Sequence, residues 1–150
     1  MCGIAGVFLG RPVDADETAE LETAVQRMQK ALDARGPDQR GHHTDTKRGV
    51  VLGHTRLSIL DLSDAGRQPM WSHSGRYAIV YNGEIYNFAE IRRSLEGRTG
   101  IAFRTGTDTE VLLEAIAQWG VDRALNVCNG MFAFGLFDRE RNELTLARDR

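Results

Sequence analysis

The chain has 150 residues, the size of one ordinary domain, with 41% hydrophobic and 27% charged residues and a formal net charge of -2. It carries no basic stripe suited to nucleic acid, no Lys/Arg-rich amphipathic helix suited to a membrane surface, and no apolar run long enough to span a bilayer. The N-terminus lacks the basic and apolar segments of a signal peptide, so a cytoplasmic protein with reduced thiols is expected, and two cysteines are too few for a disulfide scaffold.

In chain order, Ile4 to Leu9 reads as a short buried strand. Asp14 to Ala34 reads as a helix, with Leu21, Ala24, Val25, Met28, Ala31 and Leu32 on one face. Asp14 with Glu17 has capping-box spacing, and Arg35-Gly36-Pro37-Asp38 ends the helix. Val50 to Leu60 reads as a strand region broken at Gly53-His54-Thr55-Arg56, and Ser63 to Ser74 is turn-rich. Tyr77 to Tyr81 is a strand running into Asn82-Gly83, a dipeptide that favours a tight turn. Asn87 to Glu96 is a second helix stopped by Gly97. Thr107-Asp108-Thr109-Glu110 opens a third, with Leu112, Ala115, Ile116 and Trp119 inward and Gly120 closing it. Met131 to Phe137 and Glu143 to Ala147 form two strands around a polar turn. The mixture predicts an α+β fold with antiparallel sheets. The chain stops straight after a strand, which predicts a domain that is C-terminally incomplete within a longer protein.

Five features could carry chemistry. Cys2 becomes the N-terminal residue if Met1 is removed, which places a thiol beside a free α-amine. Such groups ordinarily titrate near about 8.5 and about 8, so the amine can take the thiol proton directly or through a water. Taken alone, a small buried residue at the chain start is the better reading of Cys2. Asn82 and Gly83 can aim a side-chain amide and a backbone N–H at one oxygen, as an oxyanion hole does; a plain hairpin is the ordinary reading of Asn-Gly. Arg56 can grip a carboxylate in bidentate fashion, or sit on an edge strand. Asp108, in the first turn of a helix, can bind a cation or simply cap the helix. With Glu84, the last two could hold both charged ends of a free amino acid.

Other constellations are weaker. His42, His43, His54 and His73 lack zinc-site spacing, so no metal is expected. No glycine-rich phosphate loop is present, so no nucleotide cofactor is expected in this domain. A Cys2–His54 pair is a rival nucleophile and base, with a structural His54 preferred. Cys128 reads as a core thiol.

The segments Cys2-Gly3-Ile4-Ala5-Gly6, Arg35-Gly36-Pro37-Asp38, His54-Thr55-Arg56-Leu57-Ser58-Ile59, Gln68-Pro69, Tyr81-Asn82-Gly83-Glu84-Ile85-Tyr86-Asn87, Thr107-Asp108-Thr109-Glu110, Asn129-Gly130-Met131-Phe132-Ala133-Phe134 and Ala147-Arg148-Asp149-Arg150 occur in this order. The set resembles the N-terminal glutaminase domain of the glutamine-hydrolysing asparagine synthetase family, from residue 2 to residue 150. The resemblance implies an N-terminal-nucleophile sandwich, two antiparallel sheets between helical layers. It implies Cys2 as nucleophile, Asn82 and Gly83 as oxyanion hole, Arg56 on the glutamine α-carboxylate, Glu84 and Asp108 on the α-ammonium, and Leu57 and Ile59 on the pocket wall. It also implies a separate C-terminal synthetase domain using ATP and Mg to amidate aspartate, and a possible homodimer. Asparagine-synthetase-like enzymes that amidate another carboxylate, such as a polysaccharide precursor, are the alternative. A non-catalytic binding module of the same fold is a further rival.

Overall fold

The computed structural model describes residues 1–58 and 64–149. Its first sheet sets β3 (Val50–Arg56) between β1 (Gly3–Phe8) and β2 (Gln39–Asp45), both antiparallel to it. Every residue of β3 is buried, and the strand runs unbroken through Gly53-His54-Thr55-Arg56 where a break is expected from the sequence. The reason is that each polar group there has a partner inside the protein. Thr55 Oγ1 donates to Leu32 O at 3.4 Å, His54 Nε2 lies 3.0 Å from Tyr81 O, and Arg56 Nη1 donates to Gln39 Oε1 at 2.8 Å. A strand sandwiched on both faces loses the alternation by which strands are recognised. The polar strand β2 has no apolar signal at all; it forms because β3 offers it a full ladder.

The second sheet has the order β4 (Met70–Trp71), β5 (Tyr77–Ile85), β6 (Gly130–Asp138), β7 (Glu143–Arg148), all antiparallel. The sheets meet face to face. Val50 and Leu52 of β3 pack with Ala78 and Val80 of β5 and with Phe137 of β6. The opposite face of β5 and β6, carrying Ile79, Tyr81, Ile85, Phe134 and Leu136, packs on α2 (Phe88–Thr99), α3 (Asp108–Trp119) and α4 (Val121–Val127). Helix α1 (Ala15–Ala31) covers the outer face of the first sheet. The result is a four-layer sandwich, helix, sheet, sheet, helices, which is the α+β architecture expected.

Helix ends refine the reading. Asp14 caps α1 by accepting from Glu17 N at 2.9 Å, as its spacing predicts, but the helix ends at Ala31, three residues early. The inward residues are Val25 and Gln29, while Met28 is exposed. Gln29 belongs there because its amide donates to Gly41 O and His54 O at 2.9 and 3.0 Å, tying the helix to the sheet. Helix α2 passes through Gly97 and ends at Gly100, whose φ of 66° is the left-handed cap. Asn87 makes no cap for α2; it donates to Val127 O and accepts from Asn129 N, tying the start of α2 to the chain entering β6.

Candidate functional site

A cleft of about 620 Å³ opens at one end of the sandwich, where the two sheets and the N-terminus of α3 converge. It is lined by Cys2, Arg56, Leu57, Asn82, Gly83, Glu84 and Asp108, among others, so the structure brings seven of the eight residues singled out from the sequence to one place. The eighth, Ile59, lies outside the described residues.

Cys2 immediately precedes β1 and is half-buried. Its Sγ accepts from Leu57 N–H at 3.5 Å and lies 3.8 Å from Leu57 O. The Arg35 Nε donates to Cys2 O at 3.1 Å and fixes the backbone there. Gly3 must be glycine: a Cβ there would lie 2.6 Å from Thr55 Oγ1 and 2.8 Å from Leu32 Cβ. Met1 sits at the lip of the cleft, largely exposed, with its Sδ 3.9 Å from Arg35 Nη2.

Asn82-Gly83 is not a turn. It lies inside β5, paired with Ala133 and Phe132 of β6. The dipeptide signal is overridden because nine consecutive residues of β5 find partners on β6. Its position on the strand has a direct chemical consequence. Side chains alternate, so Asn82 and Glu84 share the face of Ala78 and Val80, which looks towards the first sheet and Cys2. Backbone polar groups alternate in the plane. Tyr86 N donates to Asn129 O on the β6 side, so the odd-numbered residues turn their N–H groups to the other edge. There β4 begins only at Met70, opposite Ile79. Beyond it, side chains take over: Tyr81 N–H donates to Gln68 Oε1 at 2.6 Å, and Ile85 N–H to Asp108 Oδ2 at 2.9 Å. The Gly83 N–H points out of the same edge between these two, into the cleft.

Tyr81 is the hub that holds this strand. Its N–H goes to Gln68, its carbonyl accepts from His54, and its hydroxyl donates to Asp108 Oδ2 at 2.9 Å. Burial pushes the Tyr81 phenol up, and Asp108 pushes it further, so it stays a donor. Burial likewise raises the Asp108 carboxyl, against the opposing pull of the Ile85 N–H and the Tyr81 hydroxyl. Burial lowers His54 to about 4, so its ring is neutral and its one N–H serves Tyr81 O. A Cys2–His54 pair is therefore not what the geometry supports: the thiol meets Leu57 and the imidazole meets the second sheet. Burial raises the Cys128 thiol to about 11, and Asp108 adds to the rise; Cys128 packs against the helical core.

Arg56 is 5% exposed and donates to Gln39 Oε1. Gly66 lies so close that a Cβ would collide with the guanidinium. Gln39, Gly66, Gln68 and Tyr81 shape the site without having been singled out for it. Gln68 and Tyr81 stand within ordered motifs, whereas Gln39 and Gly66 carry no local signal. Among the described residues, no group of three or more His, Cys, Asp or Glu is arranged to hold a metal ion, and no helix is long and apolar enough to cross a membrane.

Two antiparallel sheets packed face to face between helical layers, with a cysteine just before the first strand, have the architecture of an amidotransferase fold. The fold agrees: a solved glutamine phosphoribosylpyrophosphate amidotransferase from B. subtilis superposes with a TM-score of 0.75 at 20% identity, over 97% of this chain and 37% of that one. The glutamine amidotransferase domain family matches residues 1–150, and the chain belongs to that family. It is 39% identical to asparagine synthetase [glutamine-hydrolyzing] 1 of Bacillus subtilis over 99% of its length, and 40% identical to asparagine synthetase [glutamine-hydrolyzing] 3 over 100%. A putative asparagine synthetase of Mycobacterium bovis is 38% identical over 99%. The chain spans about a quarter of the length of these relatives (22, 23 and 24% for the three in that order).

Proposed function

We propose that this domain hydrolyses L-glutamine to glutamate and ammonia, with Cys2 as nucleophile. The observation that supports it best is the convergence on one cleft of Cys2 with the Asn82 side chain and the outward Gly83 N–H. The Cys2 thiolate adds to the carboxamide carbon, and Asn82 and Gly83 receive the negative charge that develops on oxygen. The α-ammonium of Cys2 gives its proton to the departing nitrogen, the C–N bond breaks, and ammonia leaves a γ-glutamyl thioester. Water then adds to the thioester, and the thiol leaves with a proton as glutamate forms. Arg56 takes the substrate α-carboxylate, Glu84 and Asp108 take the α-ammonium, and Leu57 belongs to the wall. Ordering an amino acid at both ends accounts for a buried cation on one side and carboxylates on the other.

In the whole protein the ammonia would be passed to a synthetase domain that uses ATP and Mg to activate aspartate for amidation to asparagine. The names of the relatives and the share of their length that the chain spans favour this acceptor over another carboxylate. A thiolate nucleophile works best where thiols stay reduced, which is consistent with the cytoplasm.

While Met1 is attached, the Cys2 nitrogen is an amide without a lone pair to act as base. Intact-mass measurement is expected to show Met1 removed in active protein, and activity in protein that retains it would overturn the α-amine role. Cys2→Ala is expected to lower ammonia release from glutamine by about 10³-fold or more while leaving glutamine binding nearly unchanged. Retained turnover would remove Cys2 from the nucleophile role.

A further inference from the structure

A second carboxylate lies directly behind the cleft wall and takes no part in the chemistry above. Glu110, the third residue of α3 and two positions after Asp108, is 3% exposed. It accepts from Arg104 N–H at 2.9 Å, from Thr105 N–H at 2.7 Å and from the Thr105 hydroxyl at 2.8 Å. His73 Nε2, from the turn between β4 and β5, approaches it at 2.9 Å. Burial alone would raise this carboxyl; the Arg104 N–H, His73 and Thr105 outweigh it and hold Glu110 below the usual range, as an acceptor.

The directions of the remaining bonds follow. A carboxylate can only accept, so the Thr105 hydroxyl donates to Glu110 and is left to accept from the Thr107 hydroxyl at 2.8 Å and from Thr107 N–H at 3.1 Å. Thr107 Oγ1 in turn accepts from Glu110 N–H at 3.3 Å and caps α3. The chain of bonds closes on itself: Glu110 to Thr105 to Thr107 and back to Glu110. Thr107, Asp108 and Thr109 are the residues that this ring sets in place, and all three line the cleft. From there Asp108 reaches Tyr81 and Ile85, the residues flanking the proposed oxyanion donors.

We infer that Glu110 is a positioning residue for glutamine: through Thr105 and Thr107 it fixes the first turn of α3, and so aims Asp108 at the substrate ammonium. This rests on the glutaminase reading above. The ring touches the wall that binds the amino acid and makes no contact with Cys2, so its loss should weaken binding and spare the chemical step.

The test uses the full-length protein. Ammonia release from glutamine by the unaltered protein comes first; if there is none, the glutaminase reading fails and the inference goes with it. Given turnover, Glu110→Gln places an amide among donors. It is expected to raise KM for glutamine about tenfold with kcat within about twofold. The rate at which iodoacetamide alkylates Cys2 should not change. A folded variant with unaltered KM, or with kcat and kcat/KM lowered equally, overturns the inference. If Glu110→Gln does not fold, Thr105→Val decides: it removes the hydroxyl link while leaving the carboxylate its backbone donors, and should raise KM about threefold at constant kcat. Unaltered KM in that variant also overturns the inference.

Discussion

The two walls of the cleft are held in different ways. The wall from the first sheet carries Cys2, a half-buried residue whose thiol, among the described residues, bonds with the Leu57 backbone at 3.5 and 3.8 Å. The wall from the second sheet carries Asn82, Gly83 and Asp108 on a strand and a helix start whose neighbouring polar groups are nearly all bonded within the protein. A nucleophile must travel a short distance to its carbonyl and back, and gains from light restraint. Donors that receive charge act best when already in place, since no reorganisation is then needed during the reaction. On the proposed reaction the contrast is one between a reacting group and a receiving frame.

The contrast can be broken most sharply at Asn82. Asn82→Ala is expected to lower kcat for glutamine by about 10²–10³ with little change in KM or in thiol alkylation. A loss confined to KM would place Asn82 on the substrate rather than on the oxyanion. The next effect in size belongs to Arg56, which spans both requirements because it is buried and also bonded to Gln39. Arg56→Ala should raise KM for glutamine by about 10–10²-fold and lower stability by about 1–3 kcal/mol, as the Gln39 carbonyl oxygen loses its donor. Glutamine titration alongside denaturant melts checks both; an unchanged KM removes Arg56 from the carboxylate.

The smallest effect tests the frame alone. His54 titrates near 4 in the folded chain and near about 6.5 when unfolded. As pH falls, the unfolded chain takes up this proton first, so stability declines from about pH 6.5 to about pH 4. Above pH 6.5 the group contributes no slope. The total is on the order of 3–4 kcal/mol. Denaturant midpoints should show His54→Gln flattening this decline, with turnover at pH 7.5 changed by less than about threefold. Turnover lost by orders of magnitude would instead make His54 a partner of Cys2.

The site was more legible in the sequence than the strands that carry it. Charged and amide side chains in ordered motifs name themselves, and seven of eight converge on the cleft. The strands behaved otherwise. Asn82-Gly83 has turn chemistry locally, yet β6 supplies a partner for each residue of β5. Gly53 to Arg56 looks like an interruption because the partners of His54 and Arg56 lie 27 residues ahead and 17 behind. Gln29, a polar residue absent from the apolar face read along α1, is buried because two carbonyls of the first sheet need a donor. These three misses share one cause: long-range hydrogen bonds that no local window contains.

The gap in the β5 edge has a meaning beyond this reaction. An open strand edge is an invitation to any other strand, and proteins usually block it. Here Gln68 occupies one rung and Asp108 another, so among the described residues one rung is left bare at Gly83. One rung is too short to template a neighbouring chain, yet wide enough for one carbonyl oxygen. A substrate amide entering it would stand where the backbone of a missing strand would have stood, and selection against aggregation and selection for catalysis would then act on the same two side chains.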